Sequence, residues 1–520
     1  MDRLSTSPAI SGAALTTTSP SSSTRPPASS PSRPRFPSPR PWPSSSAPAL
    51  SHSSSSPAAA ESPEGRLSRP AHPFPASMNR ILLTLLLPAV STPMSAAPAA
   101  VWNHPVRPPE EIAHLSVEEL AAPALVPPSV NTSPLPEYGY DRLDYGMTIG
   151  IERTPGGRLW ACWVGGGDSD KAFFVLATSD DDGETWSQPR AVLDPHDESL
   201  PLRRRTVVGN LWTDPKGRLW LFFDQSTAMF DGRAGSWFTL CENPDADQPV
   251  WSRPVRIWHG STLNKPIVLA NGDWLLPISL WHRGLIHKPF AERDAFRELD
   301  SLRGANVFAS GDEGRTWERR GRVAFPRPNF DEHMFIERRD GTIWMTARTR
   351  RGLYESISAD GGRTWSAPVE SAIKTASARH FIRRLASGNI LLVKYGEKID
   401  EVPTRDGKTV RSHLTAFLSD DDGHTWKGGL LLDDRTPVTY PDGFQAPDGT
   451  LYVSWDKSRN AEGEVLMARF TEADILAGEF TGPRSRTRML ISRPDPEAVR
   501  IRRQHENLEK AAAQSAPKVP

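Results

Sequence analysis

Four acidic octets are the first candidates for chemistry: "SDDDGETW" at 179–186, "SGDEGRTW" at 310–317, "SADGGRTW" at 358–365 and "SDDDGHTW" at 419–426. Carboxylates bunched before a glycine could coordinate calcium. A calcium loop of that kind requires a glutamate at its twelfth position, and none of the four supplies one. The structural reading fits better. In S-x-D-x-G-x-T-W the Ser and Asp side chains can bond the backbone N–H groups of a tight turn, Gly supplies a positive φ, and Trp packs beneath the turn against its own sheet. No metal and no cofactor is expected. Two cysteines, Cys162 and Cys241, exclude a Cys-rich zinc site and a disulfide scaffold, and leave open whether the two pair or stay as buried thiols.

The elements that carry the octets repeat with them. "GRLWACWV" at 157–164, "GRLWLFFD" at 217–224, "GDWLLPISLW" at 272–281, "GTIWMTART" at 341–349, "GNILLVKY" at 388–395 and "GTLYVSWD" at 449–456 each leave a polar turn at Gly and alternate toward a buried face, which is the signature of a strand. No sustained helical period interrupts them. The octet tryptophans lie at 186, 317, 365 and 426, and a decayed copy, "CENPDADQPVWSRP", places Trp251 in the long first gap. Repeats spaced by 65, 66, 48 and 61 residues indicate a propeller. The fold class expected over 136–480 is all-β: a six-bladed β-propeller of four-stranded antiparallel blades.

Four copies of the octet resemble the Asp boxes, or BNR repeats, of the sialidase (neuraminidase) family, and the resemblance spans essentially all of 140–480. The boxes turn away from the active site in that family, so function has to come from other loops. A sialidase substrate carries a carboxylate beside its anomeric carbon, which would repel a carboxylate nucleophile. The family uses a tyrosine, activated by a glutamate, with a separate Asp as acid/base and three arginines on the substrate carboxylate. By motif order the resemblance implies Glu332 and Arg348 from "FDEHMFIERRDGTIWMTART", Arg411 from "RSHLTAFLSDDDGHTW" and Tyr440 from "VTYPDGFQAPDGTLYVSWD". Asp170 is assigned as acid/base from "GGGDSDKAFFVLATSDDD", with Asp168 and His333 as substrate contacts. The family's opening R-I-P strand is absent: the place of its arginine falls near Met147, with Arg142 and Arg153 as the candidate substitutes.

The implied activity is exo-glycosidic cleavage of a terminal acidic sugar from a glycan or glycoconjugate. Two alternatives stand beside it. His282, His333 and His380 near strand ends could serve, with Tyr440, a lyase that abstracts a proton beside a uronate carboxylate, or the propeller could hydrolyse a deoxy-sugar polymer. A glycan-binding propeller without catalysis would follow if Arg348, Arg411 and Tyr440 failed to converge. Trp281 and Trp455 read as blade core.

Composition bounds the rest. Charge balances at 62 basic and 62 acidic residues, and past residue 100 the balance is 54 to 59, so nucleic acid is not an expected partner. Residues 1–77 are Ser/Pro/Ala/Arg-rich and expected to be disordered. "MNRILLTLLLPAVSTPMSAAPAA" at 78–100 has the layout of a secretory signal peptide, which places the start of translation at Met78 and the mature protein, without a membrane span, outside the cell or in the periplasm. A linker is expected over 101–135 and a charged tail, weakly helical around 496–513, over 481–520.

Overall fold

The computed structural model describes residues 107–515. The arm expected to be disordered over 1–77 and the expected signal peptide over 78–100 fall outside the described residues. Six antiparallel sheets follow one another along the chain: blade 1 over 147–193, blade 2 over 204–258, blade 3 over 267–323, blade 4 over 328–370, blade 5 over 381–433 and blade 6 over 438–492. Each has four strands in chain order, blade 2 carrying in addition the short strand Arg204–Arg205. The first strands of blades 1, 2, 4, 5 and 6 touch one another around the axis. Alternation has the expected consequence: the second strands, such as Leu159–Gly165 and Trp274–Leu280, are buried along their whole length between neighbouring blades.

The octets form the expected turns and do one thing more. Their tryptophans do not rest on their own blade alone. Trp317 joins the apolar cluster between blades 2 and 3, Trp365 that between 3 and 4, and Trp426 that between 4 and 5. Each octet thus wedges its blade against the preceding one. The decayed copy keeps the same place, with Trp251 edge-on to Trp160 of blade 1 at 5.8 Å.

A buried ionic network runs down the axis. Lys265 binds Glu152 at 2.7 Å and Asp442 at 3.0 Å, and also donates to the carbonyls of Ile151 and Leu211. Asp442 in turn accepts from Arg379 at 3.2 Å and Asn210 at 3.1 Å. Asn264 closes the circuit, accepting from Arg379 and donating to the carbonyl of His333. Charges so thoroughly desolvated are tolerated only when paired and hydrogen-bonded, and here the partners come from every blade or the loops between them. Cys162 and Cys241 are both buried free thiols.

Two boundaries differ from the sequence reading. The expected linker contains helices Pro109–Ile112 and Val117–Ala121, the latter opened by a capping box at Ser116. Arg293 holds the Ile112 and Leu115 carbonyls, while Gln225 holds those of Ala124 and Val126. The propeller also extends past 480: Arg486–Ser492 is the outer strand of blade 6. Only its Met489, Ile491 and Ser492 are buried, so its apolar signal is thin. The tail beyond it forms helix Pro496–Ser515, which lies against blade 1 through Arg502 and Glu509. Among the described residues, no helix is long and apolar enough to cross a membrane.

Candidate active site

Strand register places the candidate residues at the end of the axis opposite the octets. In blade 4, Ile343 pairs with Ser358 of the octet at one end, and Thr349 pairs with Gly352 at the other, beside Arg348. The inner strand Pro328–Glu337 should run evenly along this ladder, but its register slips between Pro328 and Asp331 and again before Met334. Within the slip Phe330, Asp331 and Glu332 have φ of 64°, 58° and 45°. The inner strand of blade 6 does the same: register slips between Thr439 and Asp442, and Tyr440 has φ 56°. Left-handed backbone at large L-residues costs on the order of 1–3 kcal/mol each and persists only where the surroundings enforce it. Bulges re-aim side chains at barrel and blade rims. Here they turn Glu332 and Tyr440 toward each other.

The Tyr440 hydroxyl donates to Glu332 Oε1 at 3.0 Å, and Arg348 Nη1 donates to the same oxygen at 2.7 Å. Glu332 is fully buried, and its Oε2 has no hydrogen-bond partner. Burial, and then the Glu332 charge, push the Tyr440 phenol up to about 12, against the pull of Arg459 and Arg348. Ser377 links two of the expected arginines: its carbonyl accepts from Arg411 Nη2 at 3.2 Å and its hydroxyl lies 3.5 Å from Arg348 Nε. The Tyr440 backbone N–H donates to the Tyr395 hydroxyl at 3.2 Å, which fixes the bulge from behind. Phe330 covers the Arg348 guanidinium at 5.5 Å and packs edge-on against Trp281 at 5.0 Å. Tyr440, Glu332, Arg348 and Arg411 therefore converge.

Other expected residues do not. Asp170, assigned as acid/base, pairs with Arg203 at 3.3 Å through both oxygens, and Arg203 continues to Glu509 of the C-terminal helix. Asp168 lies nearer the tyrosine: it is half-exposed, 3.6 Å from Arg459, and its charge bears on the Tyr440 hydroxyl. His333, expected to touch substrate, faces the other way. It is buried with Nε2 2.8 Å from the Asn306 carbonyl, and desolvation lowers its pKa to about 4. His380 is buried as well, 2.7 Å from the Thr346 hydroxyl, with a pKa lowered to about 3 by desolvation and Arg379. Neither His333 nor His380 meets Tyr440, so of the three histidines of the lyase alternative only His282, next to Trp281 in sequence, is left for it. Trp455 is core, donating to Asp433 at 3.0 Å.

Arg459 is the residue the sequence reading missed. It follows the second strand of blade 6, and its guanidinium carbon lies 4.3 Å from the centre of the Tyr440 ring. Its Nη1 lies 2.7 Å from Met147 Sδ, at the position where the resemblance expected an arginine. No motif announces it; the only available signal was the empty place at Met147.

Residues 157–453 match the BNR repeat-like domain family. No curated protein sequence matches the chain. Among solved structures, the intramolecular trans-sialidase from Ruminococcus gnavus is 13% identical with a TM-score of 0.48, covering 65% of this chain and 96% of its own. NanB sialidase from Streptococcus pneumoniae is 14% identical at a TM-score of 0.46, covering 68% and 69%. Trypanosoma rangeli sialidase is 13% identical at 0.45, covering 72% and 59%. With more than half of its residues matched and six blades in sequence order, the chain belongs to the BNR repeat-like domain family.

Proposed function

We propose that this protein is a secreted or periplasmic glycoside hydrolase of the sialidase type, removing a terminal acidic sugar from a glycan. The observation that carries the reading is the buried chain Tyr440–Glu332–Arg348, with its two hydrogen bonds of 3.0 and 2.7 Å. A phenol raised to about 12 is a poor nucleophile at neutral pH. It becomes a useful one if its proton leaves as the bond to the anomeric carbon forms. In this reading Glu332 takes that proton, and Arg348, donating to the same carboxylate oxygen at 2.7 Å, fixes the glutamate's position. Asp168, half-exposed on the blade 1 loop, protonates the departing oxygen and later activates the water that releases the sugar. Arg348 and Arg411, on either side of Ser377, hold the anionic group of the substrate.

The test is release of fluorophore from a fluorogenic N-acetylneuraminide by the full chain. Tyr440→Phe should reduce turnover by about 10⁴-fold, the scale on which loss of one member of a concerted catalytic unit falls. A folded wild type that releases nothing, from this sugar or from a uronide, would sink the proposal.

A further inference from the structure

We infer that Arg459 is a specificity-determining residue, holding the sugar's anionic group from the side of the site where blade 1 brings Met147 rather than an arginine; for the nature of the ligand this rests on the acidic-sugar reading above. Asp456, fully buried, grips the guanidinium through two parallel bonds, Nε to Oδ1 and Nη2 to Oδ2, each 3.1 Å. Thr439 meets Nη2 as well. This fork sets the plane of the group and presents it to the face of Tyr440 at 4.3 Å. Nη1 is left over. Its neighbours are the Met147 thioether at 2.7 Å, a weak acceptor, and Asp168 Oδ2 at 3.6 Å, beyond hydrogen-bond reach.

A permanent cation therefore directs N–H bonds into the site with no good acceptor, next to the candidate nucleophile. Its side chain is largely buried, at 11% exposure, so water is a limited substitute. The Tyr395 hydroxyl, beneath Tyr440, lies in the fields of Arg411 and Arg459 alike, so the arginines enclose the tyrosine pair from different sides. A carboxylate bound over Tyr440 would supply the acceptor that Nη1 lacks. A neutral sugar at the same spot would leave it unmet, which makes Arg459 a discriminator between acidic and neutral sugars.

The experiment compares the full-length wild type with Arg459→Met on two matched pairs: a fluorogenic N-acetylneuraminide and its methyl ester for kcat and KM, and free N-acetylneuraminic acid and its methyl ester for affinity by calorimetry. A charge-assisted bond lost to a carboxylate predicts a loss of about 10–100-fold in affinity for the acid, with the ester changed by less than about twofold. Adding Met147→Arg to Arg459→Met should recover most of the loss, because the new guanidinium enters at the same position. Equal losses on acid and ester, or a fall in kcat with KM and affinity unchanged, would overturn the inference and leave Arg459 as support for Tyr440 only. Should Arg459→Met fold poorly, Arg459→Lys gives the same reading through the acid-to-ester ratio. A wild type that binds the acid but cleaves nothing, with binding lost in the variant, would end the hydrolase reading and keep this one; a wild type that binds no carboxylated sugar overturns it.

Discussion

At the octet end of the propeller, four turns repeat one hydrogen-bond pattern almost without variation. The Gly N–H donates to the Ser hydroxyl at 2.8–2.9 Å, and the Thr hydroxyl donates to the Asp carboxylate at 2.6–2.7 Å. At the opposite end, blades 4 and 6 abandon regular register and place four large residues in left-handed backbone. Carboxylates at the two ends respond to pH with opposite sign. In the octets, the Thr364 and Thr425 hydroxyls, with their backbone N–H groups, hold Asp360 and Asp421 well below the usual carboxylate range. At the site, burial and then Glu332, against the Ser279 hydroxyl, hold Asp331 up at about 6. Satisfied, redundant bonding holds the octet turns, each of which spends at most one non-glycine residue, Asp182, Glu313 or Asp422, on positive φ; at the other end four such residues, Phe330, Asp331, Glu332 and Tyr440, gather in the two strands that bring Tyr440 and Glu332 together.

The sharpest way to break this contrast is at Glu332. Glu332→Gln keeps the shape and an acceptor for Tyr440 but cannot take its proton, and should lower kcat by about 10²–10⁴-fold. A variant within a few-fold of wild type would show the strained end to be structural after all. Next comes the choice between neighbouring acids. Asp168→Asn should cost about 10²-fold in kcat on substrates with a poor leaving group and far less on an activated aryl glycoside, because acid assistance matters only when the leaving oxygen is basic. Asp170→Asn, which loosens only the Arg203 pair, should leave that leaving-group dependence unchanged. The reverse result would restore Asp170 to the acid's role.

Asp331 sharpens the comparison through stability. Its raised folded pKa means that the native state holds the proton more tightly than the unfolded chain does. The stabilisation is full below the ordinary value of 3.8 and is lost as pH rises through about 6. Above that, the ionised buried group costs about 3 kcal/mol. Asp331→Asn cannot ionise and still accepts from Ser279, whose hydroxyl now donates at 2.6 Å. Its Tm should exceed that of wild type at pH 7.5, with the gain vanishing toward pH 4. A gain independent of pH would place the strain in the backbone rather than in the charge.

How much of this could be read from the chain follows the same division. Octets and alternating strands are local signals, and they delivered six blades. Glu332, Arg348, Arg411 and Tyr440 stand at fixed offsets from those signals, and the structure brings them together. His333 could not share Glu332's role, because successive residues of a strand face opposite ways; with Glu332 on the axis, its neighbour turns into the interface with blade 3. Asp170 was preferred over Asp168 for want of one fact, that Arg203, 33 residues on, would claim it. Arg459 meets Met147 across 312 residues where blade 6 closes on blade 1, a juxtaposition made by ring closure and absent from any local pattern.

The smaller effects belong to the octets. Gly423 has φ 88°, and a Cβ there would lie 2.6 Å from Cζ3 of the buried Trp344 in the preceding blade. Gly423→Ala should therefore cost about 2 kcal/mol in denaturant unfolding while kcat per folded molecule stays unchanged. Smallest of all is Thr425→Val, which removes one exposed hydroxyl from Asp421 and leaves the backbone bond from residue 425 in place. A single solvent-facing bond is worth about 0.5 kcal/mol. Because the folded pKa of Asp421 is depressed, that contribution is fully present above the ordinary carboxylate value and fades only as pH falls well below it. The stability difference between wild type and Thr425→Val should thus be flat from pH 8 to pH 5, the window in which Asp331→Asn changes most. Parallel pH dependences in the two variants would mean that one titrating group governs both ends, and that the separation of a rigid end from a strained one is mistaken.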